Sequence, residues 1–372
     1  MPKQEFKDLF LKLTEHTIPF GEESTLEPLI PKGFKKDSIG NYYYEIGNSE
    51  TLFTTHLDTY SSEYEKVNHV ISQTDPFKIS TDGTTILGGD NKLGCSILIS
   101  MIMDRIPGTY FFFIGEEPIL SGGLFGSSNA LKSNPEFFKK FKRAVAFDRR
   151  AYGSIVTRQT ARRCCSDEFA SQISKGLESA GINWDLDSNF GYYTDTAVFM
   201  DVIPECTNLS AGGFKEHYKE EWVDLNYTWK VYEFAKKFNW ESLPVAREIE
   251  ERFIEEEESK IKKYLGFSNS KTVDEVSKLM KLLDLSKTRD VSKDGKRHLT
   301  FSRWLEDYDL DIFVKSGSIS VNDKKMNLNE FKTYLVKEFK NDIKSELEYY
   351  RKLKDFKSVD KILSTFNLHS SF

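Results

Sequence analysis

The sequence predicts an α/β protein, a sheet covered by helices on both faces, followed by a mainly helical segment. Three observations carry this. Up to about Pro244, short apolar strands alternate with helical patterns and Gly-rich turns. Beyond Pro244 the chain turns charged, with helical charge spacing. Its 372 residues exceed the usual length of one domain, so two are expected, 1–245 and 246–372.

The first part begins with the strands. Tyr42–Ile46, Thr51–Thr55, Thr109–Ile114, Ala144–Phe147 and Thr207–Ser210 are short apolar runs bounded by turn residues. Two helices show clear periodicity. Leu93–Asp104 places Leu93, Ile97, Leu98, Met101 and Ile102 at helical spacing, and Val223–Phe238 does so with Leu225, Trp229, Tyr232 and Phe238. In the second part, Ala246–Tyr264 carries the acidic run Glu255–Glu258 ahead of Lys260, Lys262 and Lys263. Acid before base at i,i+4 reads as a solvated helix face. Thr272 with Glu275 reads as a capping box before Val276–Leu285. Ile312–Val314 and Ser318–Val321 are expected to pair as a small hairpin, and Asn327 to cap a long helix from Leu328 to about Leu353. No internal repeat is visible.

Composition removes several classes of function. Apolar residues are 39% and charged residues 30%, which excludes a mainly disordered or membrane-embedded chain. No uncharged apolar run reaches the roughly 20 residues a spanning helix needs. The start, Met1–Lys7, lacks the apolar stretch of a secretory signal. A net charge of −6 argues against a nucleic-acid footprint. Cys95, Cys164, Cys165 and Cys206 form neither a disulfide framework nor a Cys-based zinc pattern. A reducing cytoplasm is the expected location.

The chemistry-bearing residues fall at strand ends. Strand Thr51–Thr55 runs into His56-Leu57-Asp58. Residues i and i+2 of an extended segment face one side, so His56 can ligate a metal while Asp58 supports the ring through its other nitrogen. Gly88-Gly89-Asp90 opens the helix at Leu93, and its glycines permit the close approach that would press Asp90 into a cleft; an ordinary helix N-cap is the plain alternative. Strand Thr109–Ile114 ends in Gly115-Glu116-Glu117, two carboxylates that are costly to bury without a cation. Ala144–Phe147 ends in Asp148, and His217 lies in the loop after Thr207–Ser210. Each signal alone is modest. Together, His56, Asp90, Glu117, Asp148 and His217 place metal-ligand types mostly where open α/β sheets bind ligands, beyond the carboxyl ends of strands.

These residues resemble the pattern of the di-zinc exopeptidases of peptidase clan MH. The matching features are His56-x-Asp58, Gly88-Gly89-Asp90, Glu116-Glu117, Asp148 and the late His217. Segments Ala144–Arg150, Arg163–Phe169, Phe190–Phe199 and Glu205–Glu216 add to the likeness, which covers essentially residues 1–245. Spacing points to the compact zinc aminopeptidase branch, family 28 type. His56 and Asp90 are 90 − 56 = 34 positions apart, and Asp148 and His217 are 217 − 148 = 69 apart. Neither interval has room for the extra domain of other branches. One departure is the lengthened loop Pro118–Gly123 before Leu124-Phe125-Gly126-Ser127, which keeps the relatives' specificity from carrying over.

The resemblance implies a central, mostly parallel mixed sheet flanked by helices. It also implies two divalent metal ions, zinc foremost, with cobalt or manganese as substitutes. Asp90 would bridge them, with His56 and Asp148 completing one site and Glu117 and His217 the other. A water between the ions would attack the peptide carbonyl, with Glu116 as general base and Asp58 behind His56. The implied activity is aminopeptidase action on small peptides. A carboxypeptidase, dipeptidase or N-deacylase on the same scaffold, or a non-catalytic binding or assembly module, are the alternatives. Asp195 is a candidate supporting carboxylate or, equally, a helix N-cap. Arg149 and Arg163 are candidates to grip a substrate carboxylate, though surface pairing is the commoner fate of such arginines. Residues 246–372 resemble nothing nameable and are open to oligomerisation or partner binding.

Overall fold

The computed structural model describes residues 1–117, 123–159, 162–187, 194–249, 286–293, 296–303, 306–313, 318–321, 324–338, 347, 363–364 and 368. The expected capping box at Thr272 and Glu275, the helix Val276–Leu285 and most of Ala246–Tyr264 lie outside them. The chain forms two compact units, one of Met1–Glu117 with Leu124–Glu251, the other of Pro118–Gly123 with Arg252–Phe372.

In the first unit, four central strands run parallel in the order Gly108–Phe113, Thr51–His56, Arg143–Arg149 and Glu205–Ser210. Tyr42–Ile46 adds antiparallel on one side, with the two-residue strand Lys35–Lys36 beyond it. Ser154–Val156 and Asp185–Asp187 extend the other side, giving an eight-stranded mixed sheet. The expected strands are all present, within one or two residues at their ends. Thr51–His56, Gly108–Phe113 and Glu205–Ser210 are buried at every position, as parallel strands flanked by helices require.

The packing is aromatic. Phe53 stacks on Tyr110 at 5.2 Å between centroids and meets the edge of Trp240 at the same distance, and Phe147 joins them. The helix Gly89–Met103 lies on strands Thr51–His56 and Arg143–Arg149. Gly94 permits that closeness, since a Cβ there would sit 2.6 Å from the carbonyl oxygen of Phe147. Helix Leu225–Lys237 packs on it in turn.

A second, four-stranded antiparallel sheet has the order Gly213–Phe214, Trp222–Asp224, Lys78–Thr81, His69–Ile71. It matters for the site. The hairpin joining Gly213–Phe214 to Trp222–Asp224 carries His217, and Lys78–Thr81 leads towards Gly88 and Asp90. Register pairs such as Val223↔Ile79 bring those two distant stretches together.

In the second unit the described residues hold a sheet of which the sequence shows only one hairpin. Among its described residues, Ser286–Lys293, Lys296–Arg303, Glu306–Phe313, Ser318–Val321 and Lys324–Met326 form a five-stranded antiparallel meander. The charge spacing that reads as helix lies in Ala246–Tyr264, upstream of this sheet. Paired ends Lys293↔Lys296 and Val321↔Lys324 leave two residues between them, Asp294-Gly295 and Asn322-Asp323, which are turn-forming types. The expected hairpin is one step of this sheet, with Ile312↔Ile319 and Phe313↔Ser318 paired; Val314 lies outside the described residues. Asn327 does cap a helix, Leu328–Glu338. Its Oδ1 accepts from the amides of Asn329 and Glu330 at 2.9 and 3.0 Å, and Glu330 reaches back to the Asn327 amide at 2.8 Å, a complete capping box. Residues 339–346 and 348–353 of the longer expected helix lie outside the described ones.

Candidate metal centre

Three strand ends and two loops converge. Thr51–His56 delivers His56 as its last residue, with the ring buried. Arg143–Arg149 delivers Asp148. The turn after Gly108–Phe113 carries Glu116 and Glu117, the start of helix Gly89–Met103 carries Asp90, and the hairpin loop carries His217.

Asp90 stands at the middle. Its Oδ1 lies 3.1 Å from His56 Nε2 and its Oδ2 3.2 Å from His217 Nε2. One carboxylate therefore faces two imidazoles, one oxygen to each. Asp148 Oδ1 is 3.6 Å from His56 Nε2, and Glu117 Oε1 is 2.9 Å from His217 Nε2. The ligand-type atoms of His56, Asp90 and Asp148 all lie within 4.8 Å of one another, as do those of Asp90, Glu117 and His217. A third grouping, His56 with Glu116 and Glu117, shares members with both. All five expected ligand residues are thus in one cluster.

Asp58 does more than the i,i+2 argument supplies. His56 Nδ1 faces the main-chain oxygen of Asp58 at 3.1 Å and its carboxylate at 3.5 Å. That leaves Nε2 pointing into the cluster, the orientation a metal-ligating ring takes. The Asp58 carboxylate also accepts from the amides of Glu116 and Glu117 at 3.0 and 2.9 Å, so it fixes the glutamate turn. Asp195 is buried beside the cluster, and its carboxylate takes no capping bond; Thr194 occupies the N-cap position of helix Asp195–Val198. Arg163 pairs with Asp167 at 2.6 Å, the commoner fate of such arginines, and Arg150 pairs with Glu216 at 3.4 Å. Arg149 is half-buried next to Asp148 in the strand.

The electrostatics describe a pocket rich in negative charge. Burial pushes Glu116 well above the usual carboxylate range; His56 opposes this, while Glu117, Asp148 and Asp195 add to it. Burial and the charge of Asp90 raise Asp148 to about 6. Burial raises Asp195 to about 8. Burial works against charge on His217, yet Glu117 and Asp90 push the ring up to about 12. Burial likewise opposes ionisation of Asp90, but the two histidines hold its carboxyl low. Positive charge is what the cluster stabilises.

The residues fit a divalent cation. Asp148 Oδ1 is buried and accepts no hydrogen bond, a costly state for a carboxylate oxygen without a cation beside it. The donor set of imidazole nitrogens and carboxylate oxygens suits zinc and its neighbours.

Sequence reasoning passed over three buried charges around the cluster. Lys92 is fully buried and donates to the main-chain oxygens of Leu57 and Asp58. Glu23 accepts from the amides of Gly21 and Gly115 at 2.7 and 3.1 Å; burial, then the charge of Asp58, raises it to about 8. Glu221 accepts from the main chain around Gly88, and burial raises it to about 7. Lys92 alone left a signal, as a charge in the first turn of a helix whose remaining positions are uncharged up to Asp104. Tyr60, 36% exposed, stacks on the His217 ring at 4.6 Å.

No protein-family model matches the chain, and no curated protein matches it. Solved structures do. An aminopeptidase PepT from Bacillus cereus matches with a TM-score of 0.52 at 16% identity, over 63% of this chain and 97% of that one. A tripeptidase from Staphylococcus aureus matches with a TM-score of 0.51 at 16% identity, over 63% and 98%. The likeness is one of fold, a mixed sheet with parallel pairs flanked by helices.

Proposed function

We propose that this chain is a metal-dependent peptidase, an aminopeptidase acting on small peptides, with the cluster around Asp90 as its active site. One observation carries the reading: the two oxygens of Asp90 face His56 and His217 at 3.1 and 3.2 Å, with Asp148 and Glu117 beside them. The names of the two solved structures, an aminopeptidase and a tripeptidase, support it. The clan MH di-zinc exopeptidases are the group it fits, and the 34- and 69-residue intervals support the family 28 type within it.

Two zinc ions would be held with Asp90 between them, His56 and Asp148 on one side, Glu117 and His217 on the other. When bound, such ions supply Lewis acidity and bring the pKa of coordinated water down to about 7. The chain's own groups do the rest. Glu116 has a raised proton affinity, as a general base needs. It would take the proton of the attacking water and return it to the leaving amine. Asp58 orients the His56 ring and the Glu116 amide together, so base and ligand move as one unit.

Residues 1–245, with 246–249 packed on them, would form the catalytic domain, and the rest of 246–372 an accessory domain open to oligomerisation. Four free, buried cysteines support a cytoplasmic location, and no helix among the described residues is long and apolar enough to cross a membrane. Hydrolysis of aminoacyl anilides, compared with N-acylated peptides bearing a free carboxyl end, tests the end specificity. The expected result is cleavage of the anilides alone. Cleavage only of the N-blocked peptides would replace the aminopeptidase by a carboxypeptidase or deacylase.

A further inference from the structure

We propose that Glu221 is the positioning residue of the centre: its buried carboxylate holds the Leu87–Asp90 main chain and ties it to the loop carrying His217. The proposal rests on reading the cluster as a divalent-metal site, and it concerns what keeps that site assembled.

Glu221 lies four positions after His217 and is 1% exposed. Its Oε2 accepts from the amides of Leu87 and Gly88, both at 2.8 Å, and its Oε1 from the amide of Asp90 at 3.2 Å. Three main-chain donors on one carboxylate satisfy a buried charge well. They also use the amide of Asp90 itself, so the position of that residue depends directly on Glu221.

The surrounding backbone is shaped to admit this carboxylate. Gly88 is the left-handed residue before the helix, at φ 73. A Cβ on Gly89 would lie 2.6 Å from Val223 Cγ1 and 2.9 Å from Glu221 Oε1. The Gly88-Gly89 pair therefore lets the turn close onto Glu221, a more specific reason for those glycines than general pliability. On the other side, Lys215 and His217 both hold left-handed φ angles of 56 and 70. Such a loop keeps its shape only where its ends are fixed. The loop is closed by hydrogen bonds from the Tyr218 amide to the Lys215 carbonyl and from the Glu221 amide to the Tyr218 carbonyl, at 3.2 and 3.0 Å, and Glu221 is its anchor. Asp90 and His217, 217 − 90 = 127 positions apart, are thus linked through the Glu221 side chain as well as by their own 3.2 Å contact.

The test is cobalt(II) binding to the full chain, stripped of metal, with a competing chelator and the visible absorption of the bound ion as readouts. Glu221→Gln puts an amide group where one of the main-chain donors needs an acceptor. The expected result is a ten- to hundred-fold loss of cobalt affinity and a changed absorption spectrum, with far-ultraviolet circular dichroism unchanged. The exposed Glu220→Gln should bind as wild type. A purely structural role would lower the melting temperature of the metal-free protein and leave the affinity of the folded form alone. Should Glu221→Gln not fold, Glu221→Asp, which keeps the charge on a shorter arm, is expected to fold and lose affinity to a smaller degree. Wild-type affinity and spectrum in whichever variant folds overturn the proposal alone. A wild-type chain that takes up no cobalt overturns the metal reading and the proposal with it.

Discussion

At the residue scale, the site is a study in how buried charges are kept in register. Asp90 faces two imidazoles, Asp58 links a ring to a turn, and Lys92 holds the carbonyls behind them. Glu116 differs from its neighbour Glu117: it lies 3.9 Å from His56 Nε2, with no closer ion pair to either imidazole. Glu116→Gln should therefore fold and bind metal as wild type while turnover falls by about 10²- to 10⁴-fold, measured as kcat alongside metal content. A variant with tightly bound metal and full activity would remove Glu116 from the reaction. Away from the site, His69 offers a separate pH test. Its Nε2 lies 2.9 Å from Thr14 Oγ1, and burial lowers its pKa below the ordinary 6.5. Protonation thus favours the unfolded chain, and stability linked to His69 is lost as pH falls through about 6.5 towards the lower folded value. Comparing denaturant midpoints, the stability gap between wild type and His69→Gln should narrow from pH 7.5 to 5.5; a constant gap would refute this. The ligand types were legible in the sequence because His and carboxylates sit at strand ends. Glu221 and Glu23 were not, because their partners are backbone amides, most of them far away in the chain, and no pattern of side chains announces a bond to backbone.

At the element scale, alternation of apolar strands and periodic helices was readable because both faces of the sheet are filled, which leaves long apolar runs. The second, four-stranded sheet was not readable. Its strands are two to four residues long and only partly buried, too short for periodicity to speak. The meander of Ser286–Met326 was legible only as its hairpin of Ile312 and Phe313 with Ser318–Val321, because charged residues crowd its other strands and hide the period of two. A helix end supplies the prediction here. Arg105 follows helix Gly89–Met103 with φ 59, and the Ile106 amide bonds back to Met101 at 3.0 Å, the Schellman arrangement that favours glycine. Arg105→Gly should stabilise the protein by about 0.5–1 kcal/mol in chemical denaturation. A destabilised variant would show that the arginine side chain contributes more than its backbone costs.

At the scale of the whole molecule, the first unit does not stop at Pro244. Glu205, fully buried, accepts from the Ser166 amide and hydroxyl and from the amides of Ala246 and Arg247, at 2.7 to 2.9 Å. The Arg247 guanidinium then donates to the carbonyls of Met200, Ile203 and Pro204. A chain ending at residue 249 should therefore be more stable than one ending at 245 by about 2 kcal/mol or more, read from their urea midpoints. Equal midpoints would show that residues 246–249 contribute nothing to this fold. The proposed activity depends on a cluster of acids and imidazoles being a seat for cations. Elemental analysis of the purified protein, with peptide hydrolysis followed before chelation, after it and after zinc is returned, addresses that most directly. The expected result is about two divalent ions per chain, with hydrolysis abolished by stripping and restored by zinc. Undiminished hydrolysis by fully stripped protein, or a chain that retains no divalent ion at all, would contradict it.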